Sequence, residues 1–280
     1  MHEAFYTAAD SGSIRGLPRD LIRARELLLG LVSKELRVRY RVAALGFFWA
    51  VLHPLLMVGI LTLVFGYILG PRIGMDTGGQ PYPVFLLCAL IPWQFFSQSL
   101  NSATNSLVDN RDLIKKVYFP REVVPLASTF DWAVNFLVGV VLLLIAHLIF
   151  GGRIGPGIAW FAPIFVLEFA LAAGLGLLFS ALNARFRDVK YVVEVAVAFG
   201  FYVTPVFYPI GLARENLSPA LFNLYLANPM AGLVTAYRAA LFGDPIAVTG
   251  LLWPACAAAV AVALGVWVFR RSASTLADYL

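Results

Sequence analysis

Between Arg41 and Arg72 the chain carries no aspartate, glutamate, lysine or arginine, and a second uncharged gap runs from Asp76 to Asp109. About 20 residues at ~1.5 Å rise per residue cross a hydrocarbon core of roughly 30 Å as a helix. Each gap is long enough. The pattern recurs and predicts six transmembrane helices, at about 45–69, 82–107, 122–150, 157–182, 189–208 and 247–269. With 60% hydrophobic and 13% charged residues, the whole chain reads as an all-α polytopic membrane protein, not a soluble domain.

The basic residues set the orientation. Seventeen of the 21 Lys and Arg fall before the first span, in the 2–3 loop, in the 4–5 loop and after the last span; only Arg72, Arg153, Arg214 and Arg238 fall on the other side. That asymmetry places both termini in the cytoplasm. A pI near 9.3 is then a matter of membrane orientation, and no nucleic-acid partner is implied. Residues 1–16 read as a flexible N-terminus without the apolar core of a cleavable signal. Residues 17–41 read as an amphipathic interface helix, with Leu21, Leu28, Val32 and Leu36 at helical spacing. Residues 42–280 form one transmembrane domain. Cys88 and Cys256 both sit in apolar runs and read as buried small hydrophobes. No metal-ligand cluster is present, and the three histidines are far apart.

Polar residues inside the spans carry most of the remaining information. In the second span the outer half is VFLLCALIPWQFF and the inner half SQSLNSATNSL. Gln94, Ser97, Gln98, Asn101 and Asn105 gather on or near one helical face. Two readings stand: they knit helices together, or they line a hydrated vestibule that meets a polar solute. Glu168 lies in the middle of the fourth span, where a carboxylate costs about 2.5–3.5 kcal/mol and must face protein or water. An interhelix hydrogen bond is the plainer role and transport the sharper one. Asp131, His53 and His147 sit at different depths and form no relay or catalytic set. Arg37, Arg39 and Arg41 cluster at the start of the first span, either as positive-inside anchors or as contacts for lipid or substrate phosphates.

The segment TPVFYPIG, residues 204–211, interrupts the fifth span with two prolines. Pro205 removes a backbone donor, and Pro209 and Gly211 end the helix. Beyond it, Ser218-Pro219 and Asn228-Pro229 each pair a capping residue with proline in the first turn. They predict helices over 219–226 and 229–242, about 12 and 21 Å long at ~1.5 Å per residue, too short to span. The chain is therefore expected to fold short re-entrant helices back into the outer leaflet as an external gate. Irregular backbone at that depth requires cover from protein or water. Phe201, Tyr202, Pro205, Phe207 and Tyr208 are the gate candidates, with interfacial anchoring as their alternative role.

Five segments, RYRVAALGFFWAVLHPLL (39–56), LIKKVYFPREVVPL (113–126), NARFRDVKYVV (183–193), TPVFYPIG (204–211) and NPMAGLVTAYRAALFG (228–243), occur in an order that resembles the membrane subunit of type-2 ABC exporters of cell-surface polysaccharide. The resemblance covers residues from about 20 to 270. One departure is His53, where that family more often has an amide before the proline. The resemblance implies a homodimer around a channel, with two separate ATP-binding cassette subunits beneath it. This chain has no G-x-x-x-x-G-K-[ST] phosphate loop, so ATP and magnesium belong to the partner and the chain is a permease, not an enzyme. By the same resemblance, Arg111, Asp112, Lys115 and Lys116 in one loop, and Arg185, Arg187 and Asp188 in another, couple to the ATPase. The substrate it implies is a glycan on a polyprenyl diphosphate, drawn in by basic residues near the first span.

A secondary transporter would need coupling-ion sites and internal repeats, and no clear repeat is present. An ABC exporter of lipid or drug is the nearer alternative. The excess of Arg over Lys, 17 to 4, suggests a GC-rich genome and leans toward a cell-wall galactan over O-antigen or teichoic acid.

Overall fold

The computed structural model describes residues 24–41, 46–70, 76–117 and 119–272. The expected flexible terminus 1–16, and residues 17–23 of the expected interface helix, lie outside the described residues. Every regular element among those described is a helix. In chain order they are α1 (Arg25–Arg41), α2 (Gly46–Leu61, continued by wider π turns over Thr62–Leu69), α3 (Tyr82–Asp109), α4 (Arg111–Lys116), α5 (Val123–Ile149), α6 (Phe161–Arg185, led by a 3-10 turn Pro156–Trp160), α7 (Val189–Val203), α8 (Ile210–Asn216), α9 (Pro219–Leu226), α10 (Pro229–Phe242) and α11 (Val248–Ser272).

Five of these segments are long and apolar enough to cross a membrane: Leu52–Leu69, Tyr82–Asp109, Val123–Ile149, Pro156–Arg185 and Val248–Ser272. The span expected over 189–208 does not reach that length as one helix. α7 stops at Val203, and Thr204 turns out to an extended ψ of 140°. The cause is local: Pro205 has no N–H to continue the ladder and disfavours helical geometry in the residue before it.

α3 is the central post. Seventy-eight per cent of its apolar window is buried, against 17% for α5, because α2, α5, α6, α7 and α10 all pack on it. Its Phe95 stacks into a cluster with Phe136 of α5 and Phe165 and Phe169 of α6, at ring separations of 5.6, 5.1 and 6.3 Å. α6 and α11 approach more closely than any side chain would allow. A Cβ on Gly265 would collide with the carbonyl of Gly174, and one on Gly174 with the backbone of Val262. Small residues at a crossing let helix backbones touch where lipid offers no hydrophobic drive.

One end of the bundle gathers the loops 109–122 and 183–190 and the end of α11; we call it the basic end. There α1 lies along α5, burying Leu31 with Leu27, Leu28 and Val32 at its margins. Of the expected line Leu21–Leu28–Val32–Leu36, Leu28 and Val32 pack here, Leu36 is half-buried and Leu21 lies outside the described residues; Leu31 is the addition. Polar contacts pin the arrangement. Lys34 donates to Asn110 (3.0 Å), Ser128 donates to Glu35 (3.2 Å), and Arg270 pairs with Glu122 (3.3 Å) where both side chains are at most 10% exposed. Removing one member of a buried ion pair typically costs about 3–5 kcal/mol. Glu122→Ala is therefore expected to lower the melting temperature of the purified protein clearly, whereas Asp112→Ala, on an exposed pair, should barely change it.

Cys88 is buried as expected, but Cys256 is exposed on α11. A small apolar thiol is equally at home on a surface that faces lipid.

Candidate functional site

The interrupted helix is where the structure concentrates unusual chemistry. After Val203 the backbone runs irregularly from Thr204 to Pro209 and then enters α8. Gly211, expected to be a terminator, lies instead in the first turn of α8, and Pro209 is that helix's N-cap. An irregular stretch frees carbonyls, and buried carbonyls need donors. A single side chain supplies most of them. Arg238 of α10 donates from Nη1 to the carbonyls of Pro205 (2.6 Å) and Tyr208 (3.4 Å). Its Nη2 donates to Val206 (2.7 Å) and Phe85 (3.3 Å), and its Nε also to Phe85 (3.3 Å). All five donors of the guanidinium fork are thereby used. Its carbon stands 3.5 Å from the centroid of the Phe85 ring, which adds a cation–π contact. The remaining carbonyl, that of Phe207, accepts from the Tyr82 hydroxyl at 2.7 Å.

Arg238 is 8% exposed. Burial pushes its guanidinium down to about 10, so it stays charged at neutral pH. Burial also raises the Tyr225 hydroxyl, which keeps it protonated. The cation is balanced by carbonyl dipoles and a ring face, with no carboxylate partner among the described residues. Arg238, counted in the sequence only by its side of the membrane, is a structural clamp inside the fold.

Thr204 is fully buried. Its hydroxyl donates back to Gly200 (2.8 Å) and accepts from the Asn228 amide (2.8 Å). The Asn228 carbonyl oxygen in turn caps α10 by accepting from Met230 N (3.0 Å). The break is therefore tied to the start of α10 as well as to its middle. α9 begins at the Ser218 cap, whose Oγ accepts from Leu221 N, and α10 ends at Gly243 in the left-handed region (φ 82°). Both helices occupy the ranges that their caps predict.

The aromatic residues singled out in sequence come together here. Phe207 sits 5.7 Å from Phe201, 6.1 Å from Tyr202 and 5.0 Å from Tyr208, and Phe65 of the π segment stacks on it at 4.7 Å. Trp93 of α3 closes on Phe201 (6.1 Å). Pro205 is buried beneath them, while Tyr202 is 65% exposed. The Tyr208 hydroxyl donates to Tyr202 O (3.1 Å), closing the turn on itself.

A break with a capped backbone, an aromatic cluster and three short helices beyond it is one half of the molecule's polar architecture; the basic end is the other. Residues 26–242, from α1 through α10, match the family described as ABC-2 type transporter. The chain belongs to this family. Among its relatives is the O-antigen export system permease protein RfbA of Myxococcus xanthus, 30% identical over 226 residues, covering 81% of this chain and 84% of that protein. A Klebsiella pneumoniae protein of the same name is 29% identical over 214 residues, 76% of this chain and 79% of its own. The polysialic acid transport protein KpsM of Escherichia coli is 24% identical over 212 residues, 75% and 79% of the two chains.

In this ABC-2 type transporter chain the coupling candidates lie together at the basic end. Arg111, Asp112, Lys115 and Lys116 are all exposed on α4, which buries only Ile114. Arg185, Arg187 and Asp188 are exposed at the α6–α7 turn. That turn is braced, not loose: Asn183 donates to Thr104 O (3.0 Å) and accepts from Lys190 N (3.2 Å). Arg37 is exposed on α1, and the side chains of Arg39 and Arg41 lie outside the described residues.

The polar strip on α3 is divided. Ser97 is buried and donates to Gln94 O (3.2 Å); Asn105 donates to Asn101 O (3.0 Å). Gln94 reaches His53 of α2 (3.4 Å), and Gln98 is open. Glu168 is fully buried. It accepts from the Tyr237 hydroxyl at 2.8 Å, which is the interhelix bond between α6 and α10.

Sequence reasoning missed Arg238. The available signal was a lone charge amid Met230–Phe242, a helix otherwise without ionisable side chains except Tyr237.

Proposed function

We propose that this chain is the channel-forming permease of an ATP-driven exporter that moves a lipid-linked polysaccharide out across the plasma membrane. Two copies enclose the pathway, and two separate ATP-binding cassette subunits dock on the basic end, which faces the cytoplasm with both termini. α7 with the irregular segment acts as the fifth of six spans. α8, α9 and α10 turn back as gate helices, with Phe201, Tyr202, Pro205, Phe207 and Tyr208 at the mouth. Arg37, Arg39 and Arg41 attract the diphosphate of the lipid carrier, and Gln98 with Asn101 offers the polymer polar contact. The relatives named for O-antigen and polysialic acid transport support a surface glycan as cargo. They favour that class over drug or lipid export and give no support to a galactan in particular.

The observation that carries this reading is the aromatic break fixed by Arg238. It is an irregular, aromatic-lined segment whose carbonyls are held by the side chains of Arg238 and Tyr82. Aromatic faces suit the C–H faces of sugars, and a fixed backbone suits a mouth that must seal between transport cycles.

The test is restoration of surface glycan in a host that lacks its own O-antigen export permease, with this chain supplied alongside its ATP-binding partner. Restoration dependent on the partner's phosphate-loop lysine supports the proposal; restoration without any nucleotide-hydrolysing subunit overturns it. In the same host, Arg111→Ala with Lys115→Ala should reduce export several-fold and lower permease-stimulated ATP hydrolysis, with the protein still in the membrane at its normal level. Those residues are exposed, so the double variant leaves packing intact.

A further inference from the structure

At the end of the bundle opposite the basic loops lies a second polar feature, beside the last turn of α10. A cavity of about 420 Å³ opens between the start of α3, the end of α5 and the end of α10. That size lies within the roughly 300–1,000 Å³ of small-molecule sites. Pro81, Phe150 and Phe242 give it an apolar floor, with Val84 and Leu241 buried behind them, and its rim is polar, with Gln80, His147 and Arg153. No carboxylate is among the described residues that line it. Arg153 is exposed and has no ion-pair partner among the described residues.

The rim is built, not incidental. His147 is only 5% exposed, and its Nε2 donates to the Arg153 carbonyl at 3.3 Å, which leaves Nδ1 as an acceptor in the neutral ring. Gly152 N donates to the His147 carbonyl at 2.8 Å. The His147 ring fills the place where a side chain on Gly152 would sit, so the glycine turn and the imidazole fix each other. The turn holds Arg153 over the cavity mouth, and Gln80 is held opposite by a turn in which Thr77 donates to its carbonyl (2.7 Å).

An apolar floor under a ring of planar polar groups matches a pyranose, which presents a C–H face and hydroxyl edges. A guanidinium at the rim, with no carboxylate among the described lining residues, favours one that carries an anionic group, because Arg binds carboxylate or phosphate through two parallel hydrogen bonds. We propose that this cavity is an external glycan-binding site for an anionic saccharide unit, and it rests on the export reading above. Such a site would hold the emerging polymer as it leaves the mouth and oppose its return.

The experiment is calorimetric titration of the purified full chain with trigalacturonate, with maltotriose as the neutral counterpart and glycerol phosphate as the stand-in for a lipid headgroup. Trigalacturonate is expected to bind saturably, maltotriose more weakly and glycerol phosphate more weakly still. Arg153→Ala should weaken trigalacturonate at least about tenfold, as loss of a charge-assisted bidentate contact does, and Gln80→Ala should weaken it several-fold. No binding of either saccharide, binding unchanged by both substitutions, or glycerol phosphate bound as well as trigalacturonate would each overturn the assignment. Export in the complementation host is measured in parallel. Normal export by a chain that binds no saccharide rejects the cavity and keeps the export function. Saccharide binding by a chain that cannot restore export rejects the function.

Discussion

Arg238→Ala is expected to cut surface glycan per copy of permease by more than about tenfold while the helices around α3 stay assembled. The substitution removes the Arg238 donors to the carbonyls of Pro205, Val206 and Tyr208, and the extra bonds to Phe85, whose carbonyl keeps its place in the α3 ladder. A buried acceptor left without a donor costs about 1–3 kcal/mol. Even if water recovers half of these, several kcal/mol remain, and every 1.4 kcal/mol is a factor of ten in an equilibrium. The loss falls on the irregular segment, not the core, because Arg238 binds that segment and only one turn of α3. Amide hydrogen exchange over 204–212 should therefore quicken by at least about tenfold, with the middle of α3 and α5 unchanged. Arg238→Lys should rescue little. Lysine keeps the charge but has three donors on a point, and cannot reach four carbonyls spread around a planar fork. Tyr82→Phe removes one hydrogen bond, to Phe207 O, and should cost about 1 kcal/mol, a much smaller change in both readouts. Wild-type export and exchange in Arg238→Ala would show that the break is held by something else and that its geometry does not govern the mouth.

The contrast between these two residues also explains what could be seen in the sequence. Helices announced themselves through uncharged length and through caps: Ser218-Pro219 and Asn228-Pro229 start α9 and α10 where the pattern puts them, because capping and proline preference act within one turn of chain. The aromatic cluster of Phe201, Tyr202, Phe207 and Tyr208 was legible as a group because the four are close in sequence. The partners that hold them were not. Arg238 lies thirty residues beyond Tyr208 and Phe85 more than a hundred before it, so the clamp exists only once α10 folds against α3. The same holds for Arg270 with Glu122 and for Tyr237 with Glu168. Charge counting put Arg238 on the side opposite the basic loops and said nothing of its partners, because composition carries no information on depth. The fifth span was overextended for a related reason. Apolar composition continues through Val206 and Phe207, and only the missing proline donor, not hydropathy, ends the helix at Val203.

The second large effect should come from a place with no polar chemistry at all. Gly265→Val is expected to abolish accumulation of folded protein in the membrane, and Gly265→Ala to lower its melting temperature in detergent substantially. A side chain at 265 would occupy the position of the Gly174 carbonyl oxygen, and one at 174 the backbone of Val262 and Ala261. What stands in the way is backbone on both sides, so no rotamer change relieves the overlap, and α6 and α11 must separate. Overpacking of a close-packed interior costs about 1–3 kcal/mol when side chains can adjust, and more when they cannot. Separation would also move Arg270 at the end of α11 away from Glu122, leaving two buried charges without each other. Gly30→Ala, on the exposed face of α1, is the control. Nothing lies within 4 Å of the added Cβ, and the gain in helix propensity, about 1 kcal/mol, makes it neutral or stabilising. If Gly265→Ala melts with Gly30→Ala, the crossing of α6 and α11 is wider than described and small-residue contact is not what joins the end of the chain to the bundle. If it melts far below, the last span is fixed by glycine at its crossing. The basic end, where α11 meets the α5 start, then inherits its rigidity from a contact made deep in the membrane.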